Sequence, residues 1–127
     1  MIVFDSSTIL AILFEEPGCE IAQAALGFAA MSTVNIAEVF ARAHGAGVGL
    51  KAANALFGHS EFEVVPLSLR QAELAGEILP ITRAAGLSLG DRCCIALAID
   101  RKLDVLTADR VWQKVAAPLG IKIELIR

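Results

Sequence analysis

The chain has 127 residues and a formal net charge of −3, with 56% hydrophobic and 20% charged residues. That length has room for one compact domain spanning residues 1–127, and the acidic balance excludes a protein that grips nucleic acid through a broad basic surface. No apolar run reaches the roughly 18 residues of a membrane span and the opening MIVFDSST lacks a basic leader, so a soluble cytoplasmic protein is expected.

The opening IVF, Ile2–Phe4, is apolar and partly β-branched, which predicts a strand closed by Asp5. Ser6, Ser7 and Thr8 then introduce a helix carrying Ile9, Leu10, Ile12 and Leu13. Pro17 and Gly18 break it, and Cys19–Phe28 reads as a second helix. A short strand is expected over Ala30–Thr33. A helix opens at Asn35, places Ile36, Val39, Phe40 and Ala43 on one face with Glu38 in its first turns, and ends at Gly45, Gly47 and Gly49. Lys51–Gly58 predicts another helix and Phe62–Val65 a strand stopped by Pro66. Leu69–Ala85 reads as a long helix that Pro80 must kink or interrupt. Asp91 opens a helix through Ile95, Ala98 and Ile99. Val105–Leu106 is a strand, Thr107–Asp109 a turn, Val111–Ala117 a helix and Ile121–Ile126 an edge strand.

Strands alternating with helices imply a mostly parallel central sheet with right-handed crossovers, an α/β fold of three layers, α/β/α. In such sheets ligands bind beyond the carboxyl ends of the strands. Asp5, Glu38, Asp91 and Asp109 all fall at that edge. Each taken alone is as readily a helix cap, because aspartate satisfies free amides in first turns. Together they are harder to explain that way, since crowded carboxylates repel and raise one another's pKa unless a cation compensates. Oxygen-only ligands favour Mg²⁺ or Mn²⁺ over Zn²⁺, and the usual work of such sites is phosphoryl chemistry.

The same stretches carry a resemblance. DSST (Asp5–Thr8), NIAEV (Asn35–Val39), SLGDR (Ser88–Arg92) and LTADR (Leu106–Arg110) resemble, in order and over essentially the whole chain, the acidic motifs of PIN-domain ribonucleases, especially VapC-type toxins. The resemblance implies a PIN-like fold, Mg²⁺- or Mn²⁺-dependent cleavage of RNA, and a small cognate antitoxin. It also implies that Asp5, Glu38, Asp91 and Asp109 are catalytic metal ligands. Ser7 and Thr107 match hydroxyl positions that orient a carboxylate or contact phosphate.

Arg92 and Arg110 each follow a proposed acid, where a phosphate clamp and a solvated or ion-paired arginine are both open. The three cysteines, Cys19, Cys93 and Cys94, lack metal or disulfide spacing and read as reduced, Cys93 and Cys94 as packing. His44 and His59 read as surface or capping residues and Trp112 as core. The apolar early helices, ILAILF and IAQAALGFAA, offer a homodimer face or a groove for an antitoxin helix. Among rivals, a phosphate-accepting receiver domain needs an acidic pair after its first strand, and a haloacid-dehalogenase phosphatase needs an aspartate where Ser7 stands. A noncatalytic RNA-binding or scaffolding module of the same fold remains the alternative.

Overall fold

In the computed structural model, which describes residues 1–127, five strands form one sheet: β1 (Ile2–Phe4), β2 (Ala29–Ser32), β3 (Glu63–Val65), β4 (Asp104–Thr107) and β5 (Ile123–Leu125). Their order is β3-β2-β1-β4-β5, and every neighbouring pair is parallel, with Val3 opposite Ala30 on one side and Val105 on the other. Eight helices flank it: α1 (Ser6–Leu13), α2 (Cys19–Ala25), α3 (Thr33–Gly45), α4 (Leu50–Phe57), α5 (Leu69–Glu77), α6 (Leu79–Thr82), α7 (Leu89–Arg101) and α8 (Gln113–Leu119).

Alternate strand residues face opposite layers. Phe4, Met31 and Leu106 pack on one side with Ile9 and Leu10 of α1 and Ile36 and Val39 of α3. Val3, Ala30, Val105 and Ile123 pack on the other with Ile95, Leu97 and Ala98 of α7, and with Trp112 and Val115. The three-layer α/β/α arrangement follows from that alternation. Helix α7 is buried without interruption from Cys93 to Ala98, because the sheet covers one side and α5 the other. No helix is long and apolar enough to cross a membrane.

Several boundaries differ from the sequence expectation, each for a local reason. The helix expected over Cys19–Phe28 ends at Ala25 and tightens into a 3₁₀ turn at Leu26–Phe28 that delivers the chain into β2. Helix α3 begins at Thr33 because Ser32 Oγ accepts the Val34 N–H at 3.2 Å, so Asn35 lies inside the helix and does not open it. The long helix divides into α5 and α6, and Pro80 sits in the first turn of α6, where its missing N–H costs nothing. Ser88, three residues before Asp91, is the N-cap of α7. Asp109 caps a 3₁₀ turn over Arg110–Trp112, which delays α8 to Gln113. Gly18, with φ 90°, lies against the Ile126 carbonyl so closely that a β-carbon there would overlap it. Arg127 Nη1 donates to the Pro17 carbonyl at 2.9 Å, tying the chain's last residue to the same corner.

Candidate active site

Asp5 follows β1 at the centre of the sheet and is the N-cap of α1, its side chain accepting the Thr8 N–H at 3.2 Å. Three hydroxyls also converge on it. Ser7 donates to Oδ1 at 2.7 Å, Thr8 is 3.0 Å from Oδ1, and Thr107, at the end of β4, donates to Oδ2 at 2.9 Å. Thr8 Oγ1 also lies 2.7 Å from the Leu106 carbonyl. Ser7 in turn accepts the Ala108 N–H at 2.9 Å, and Thr107 accepts the Asp109 N–H at 3.0 Å. The two central loops, after β1 and after β4, are thereby laced together through one carboxylate. Asp5 is 4% exposed, and burial pushes its pKa from 3.8 up to about 6 against the opposing pull of those hydrogen bonds. The shift is led by lost hydration and not by the mutual repulsion that the sequence suggested. At neutral pH the group is a buried anion.

Glu38 projects from α3 toward the start of α7. Its Oε1 accepts from Asn35 Nδ2 at 2.7 Å, and the same amide donates to the Gly90 carbonyl at 3.0 Å. The carboxylate lies against the α-carbon of Gly90: a β-carbon added there would stand 2.5 Å from Glu38 Oε2.

Asp91 closes a capping box. Its Oδ2 accepts the Ser88 N–H at 2.9 Å, while its own N–H donates to Ser88 Oγ at 3.2 Å. Asp109 is exposed, and its Oδ1 accepts the Val111 N–H at 3.0 Å. Arg92 turns away from the acids and donates to the Ala75 carbonyl of α5 at 2.9 Å, one of the carbonyls that a helix C-terminus leaves free. Arg110 is exposed.

Asp5, Asp91 and Glu38 all act by charge on one buried group, the Cys94 thiol. Burial holds the Cys94 thiol well above its usual pKa of 9.0, and the charges of those three carboxylates add to the effect in that order. Its S–H points to the Phe4 carbonyl at 3.6 Å. Asp109 is not among those charges; only its backbone N–H is tied to the Asp5 network, through Thr107, while its carboxylate caps Val111. The molecule's ion pairs, Arg101 with Glu63 and Lys122 with Asp104 and Glu124, involve none of the four acids. No three His, Cys, Asp or Glu side chains stand grouped to hold one metal ion, in keeping with Asp91 and Asp109 being turned onto backbone amides.

Two members of this network were not singled out from the sequence. Thr8 and Asn35 each lie three residues from the acid they bind, a spacing that brings side chains together on a helical turn. The sequence showed that spacing, but nothing in it distinguished Asn35 from a helix-opening residue.

Comparison with known proteins gives the arrangement a context. A search of curated protein sequences finds no significant match. Among solved structures, the chain is similar to a toxin–antitoxin complex from Klebsiella pneumoniae (22% identity, 100% of this chain and 98% of that one, TM-score 0.68). It is similar to VapBC2 from Rickettsia felis bound to a promoter DNA fragment (15%, 98% and 98%, 0.74). DNA-bound VapBC from Salmonella typhimurium matches at 21% identity over all of both chains, with a TM-score of 0.70. These likenesses establish a shared fold. The family model of the PIN domain matches residues 2–118, from the first residue of β1 into α8 and across all four acids. A parallel sheet whose central strands deliver Asp5 and Thr107 to one edge, and a sequence that follows the family over that span, make this chain a member of the PIN domain family.

Proposed function

We propose that the chain is a metal-dependent endoribonuclease and the toxin of a toxin–antitoxin pair. The observation that carries this reading is Asp5: an anion at neutral pH, buried in the middle of the sheet edge, ringed by hydroxyls and matched by no cationic side chain. A buried charge of that kind is costly unless a cation joins it. The donor set is all oxygen and suits Mg²⁺ or Mn²⁺. Asp5, Glu38 and Asp91 would hold it, with Asp109 added from the neighbouring loop. When bound, the cation supplies an activated water and charge neutralisation for phosphodiester hydrolysis.

The chain's own residues prepare the site. Ser7, Thr8 and Thr107 fix the Asp5 carboxylate, Asn35 fixes Glu38, and the buried Cys94 stays a neutral thiol beneath them. Asp91 holds the Ser88 amide through Oδ2 alone, so its Oδ1 would be the oxygen offered to the cation.

A small antitoxin is the proposed partner. The titles of the similar structures describe toxin–antitoxin and VapBC complexes. This chain also has a cleft of about 390 Å³ between α2 and the sheet, where Ile21 and Phe28 are exposed and Glu20 and Glu124 stand among the lining residues. An amphipathic helix with basic flanks fits that chemistry. Self-association into a homodimer is a further part of the reading, supported by exposed Leu69, at 78%, at the start of α5 and by exposed Val64 in the edge strand β3.

The test is cleavage of RNA by the purified chain in Mg²⁺, in Mn²⁺ and in chelator, alongside Asp5→Asn. Cleavage that needs the metal and vanishes in a folded variant supports the proposal. RNA bound but never cut under any of these conditions returns the noncatalytic alternative.

A further inference from the structure

We infer that Asn35 is a positioning residue for Glu38, and that it works only because position 90 has no side chain. The inference rests on the metal-site reading above but makes a separate claim about how the site is built. Asn35 is 1% exposed, and both of its donated bonds are fixed by their acceptors: a carboxylate oxygen of Glu38 and the backbone carbonyl of Gly90. Because both acceptors lack hydrogens, only the NH₂ end of the amide can face them, which settles its orientation.

One side chain on α3 thus holds an acid of its own helix and the first turn of α7, 55 residues away in sequence, as a single unit. The other end of the amide, Oδ1, is buried with no protein partner. A buried orphan of this kind is a cost, and such groups in native structures call for an explanation. The explanation here is that the amide is set for Glu38 and not for its own satisfaction.

Gly90 supplies the steric half. The three atoms nearest to an added β-carbon all belong to the Glu38 carboxylate, at 2.5 to 2.7 Å. They are the end of a flexible side chain, so the chain can accept alanine there by letting Glu38 swing away. Alanine is also the better helix former. Folding and site geometry are therefore separable at this position: Gly90→Ala retains the fold and loses the Glu38 placement.

Two readouts test this on the full chain. In the metal-free protein, the Asn35 side-chain amide protons should exchange slowly with solvent by NMR, with the exposed Asn54 as internal reference. In Gly90→Ala their protection should fall at least tenfold while the melting temperature stays at or above that of the wild type. Direct Mn²⁺ titration should then show roughly 10- to 100-fold weaker binding, the usual loss when an outer partner of a metal ligand is removed. Asn35→Leu should weaken Mn²⁺ similarly; if it fails to fold, Gly90→Ala carries the test alone. Unchanged Asn35 protection in Gly90→Ala, or Mn²⁺ binding as tight as in the wild type, overturns the inference. A wild type that binds no Mn²⁺ while the amide behaves as stated refutes the metal reading and leaves the clamp supported.

Discussion

Replacing Asp5 by asparagine in chelator should stabilise the protein at neutral pH and do little at pH 4. The native pKa of Asp5, about 6, lies above its ordinary value of 3.8. Between those values the native chain keeps a proton that the unfolded chain has released. The associated stability is complete below about pH 4 and is lost as pH rises through about 6. At about 1.4 kcal/mol for each tenfold change in the proton equilibrium, the buried anion costs about 3 kcal/mol at pH 7. Asparagine has the same shape. Its oxygen keeps the bonds from Ser7 and Thr8, and its NH₂ faces Thr107, whose hydroxyl can accept it and redirect its own proton toward Ser7 Oγ, 3.4 Å away. Urea unfolding of both proteins in EDTA from pH 4 to pH 8 measures the difference directly. A gain that grows with pH toward about 3 kcal/mol is expected. A variant destabilised at pH 7, or a gain equal at both ends of the range, would refute the claim that burial of this carboxylate is what the native state endures.

Other perturbations have defined signs. Asp91→Asn in chelator should lose about 0.3 to 1 kcal/mol, the value of a carboxylate in a helix's first turn; a higher melting temperature would show that repulsion among the acids outweighs the cap. Arg92→Met should cost about 1 kcal/mol in urea unfolding through the lost bond to the Ala75 carbonyl, and unchanged stability would free the guanidinium for a substrate role. Gly18→Ala should lower stability by more than about 1 kcal/mol, because a positive φ and the Ile126 carbonyl both oppose a β-carbon; thermal melts matching the wild type would contradict the packing at that corner.

The fold was legible because its signals are local. A β-branched run closed by Asp5, a Pro-Gly break at Pro17–Gly18 and an apolar stripe along α3 each state their element without help from distant residues. The placement of Asp5, Thr107 and Asp109 at one edge then follows from parallel topology. What the sequence withheld was rotamer and partner. Asp91 can be a cap or a ligand, and the capping role becomes visible only in the Ser88 N–H that donates to its Oδ2 at 2.9 Å. For Arg92 the sequence left a phosphate clamp and a solvated or ion-paired arginine both open; successive helical residues point about 100° apart, and its neighbour is α5. Asn35 looked like a helix start because the stronger cap, Ser32, stood hidden at the end of the preceding strand.

The strand order has a consequence for synthesis of the chain. The first strand made, β1, lies in the middle of the sheet, and its partner β4 is not reached until residue 104. A nascent chain therefore exposes Asp5 to water, hydrated and with an ordinary acidity, until Thr107 and the loop behind it leave the ribosome. At the speeds of translation, roughly 5 to 20 residues per second, that interval lasts on the order of ten seconds. Truncation anywhere before β4 removes Thr107, one of the three hydroxyls on Asp5, and the Leu106 carbonyl and Ala108 N–H that Thr8 and Ser7 meet. The acidic edge is thus completed by the last fifth of the chain closing on the first few residues.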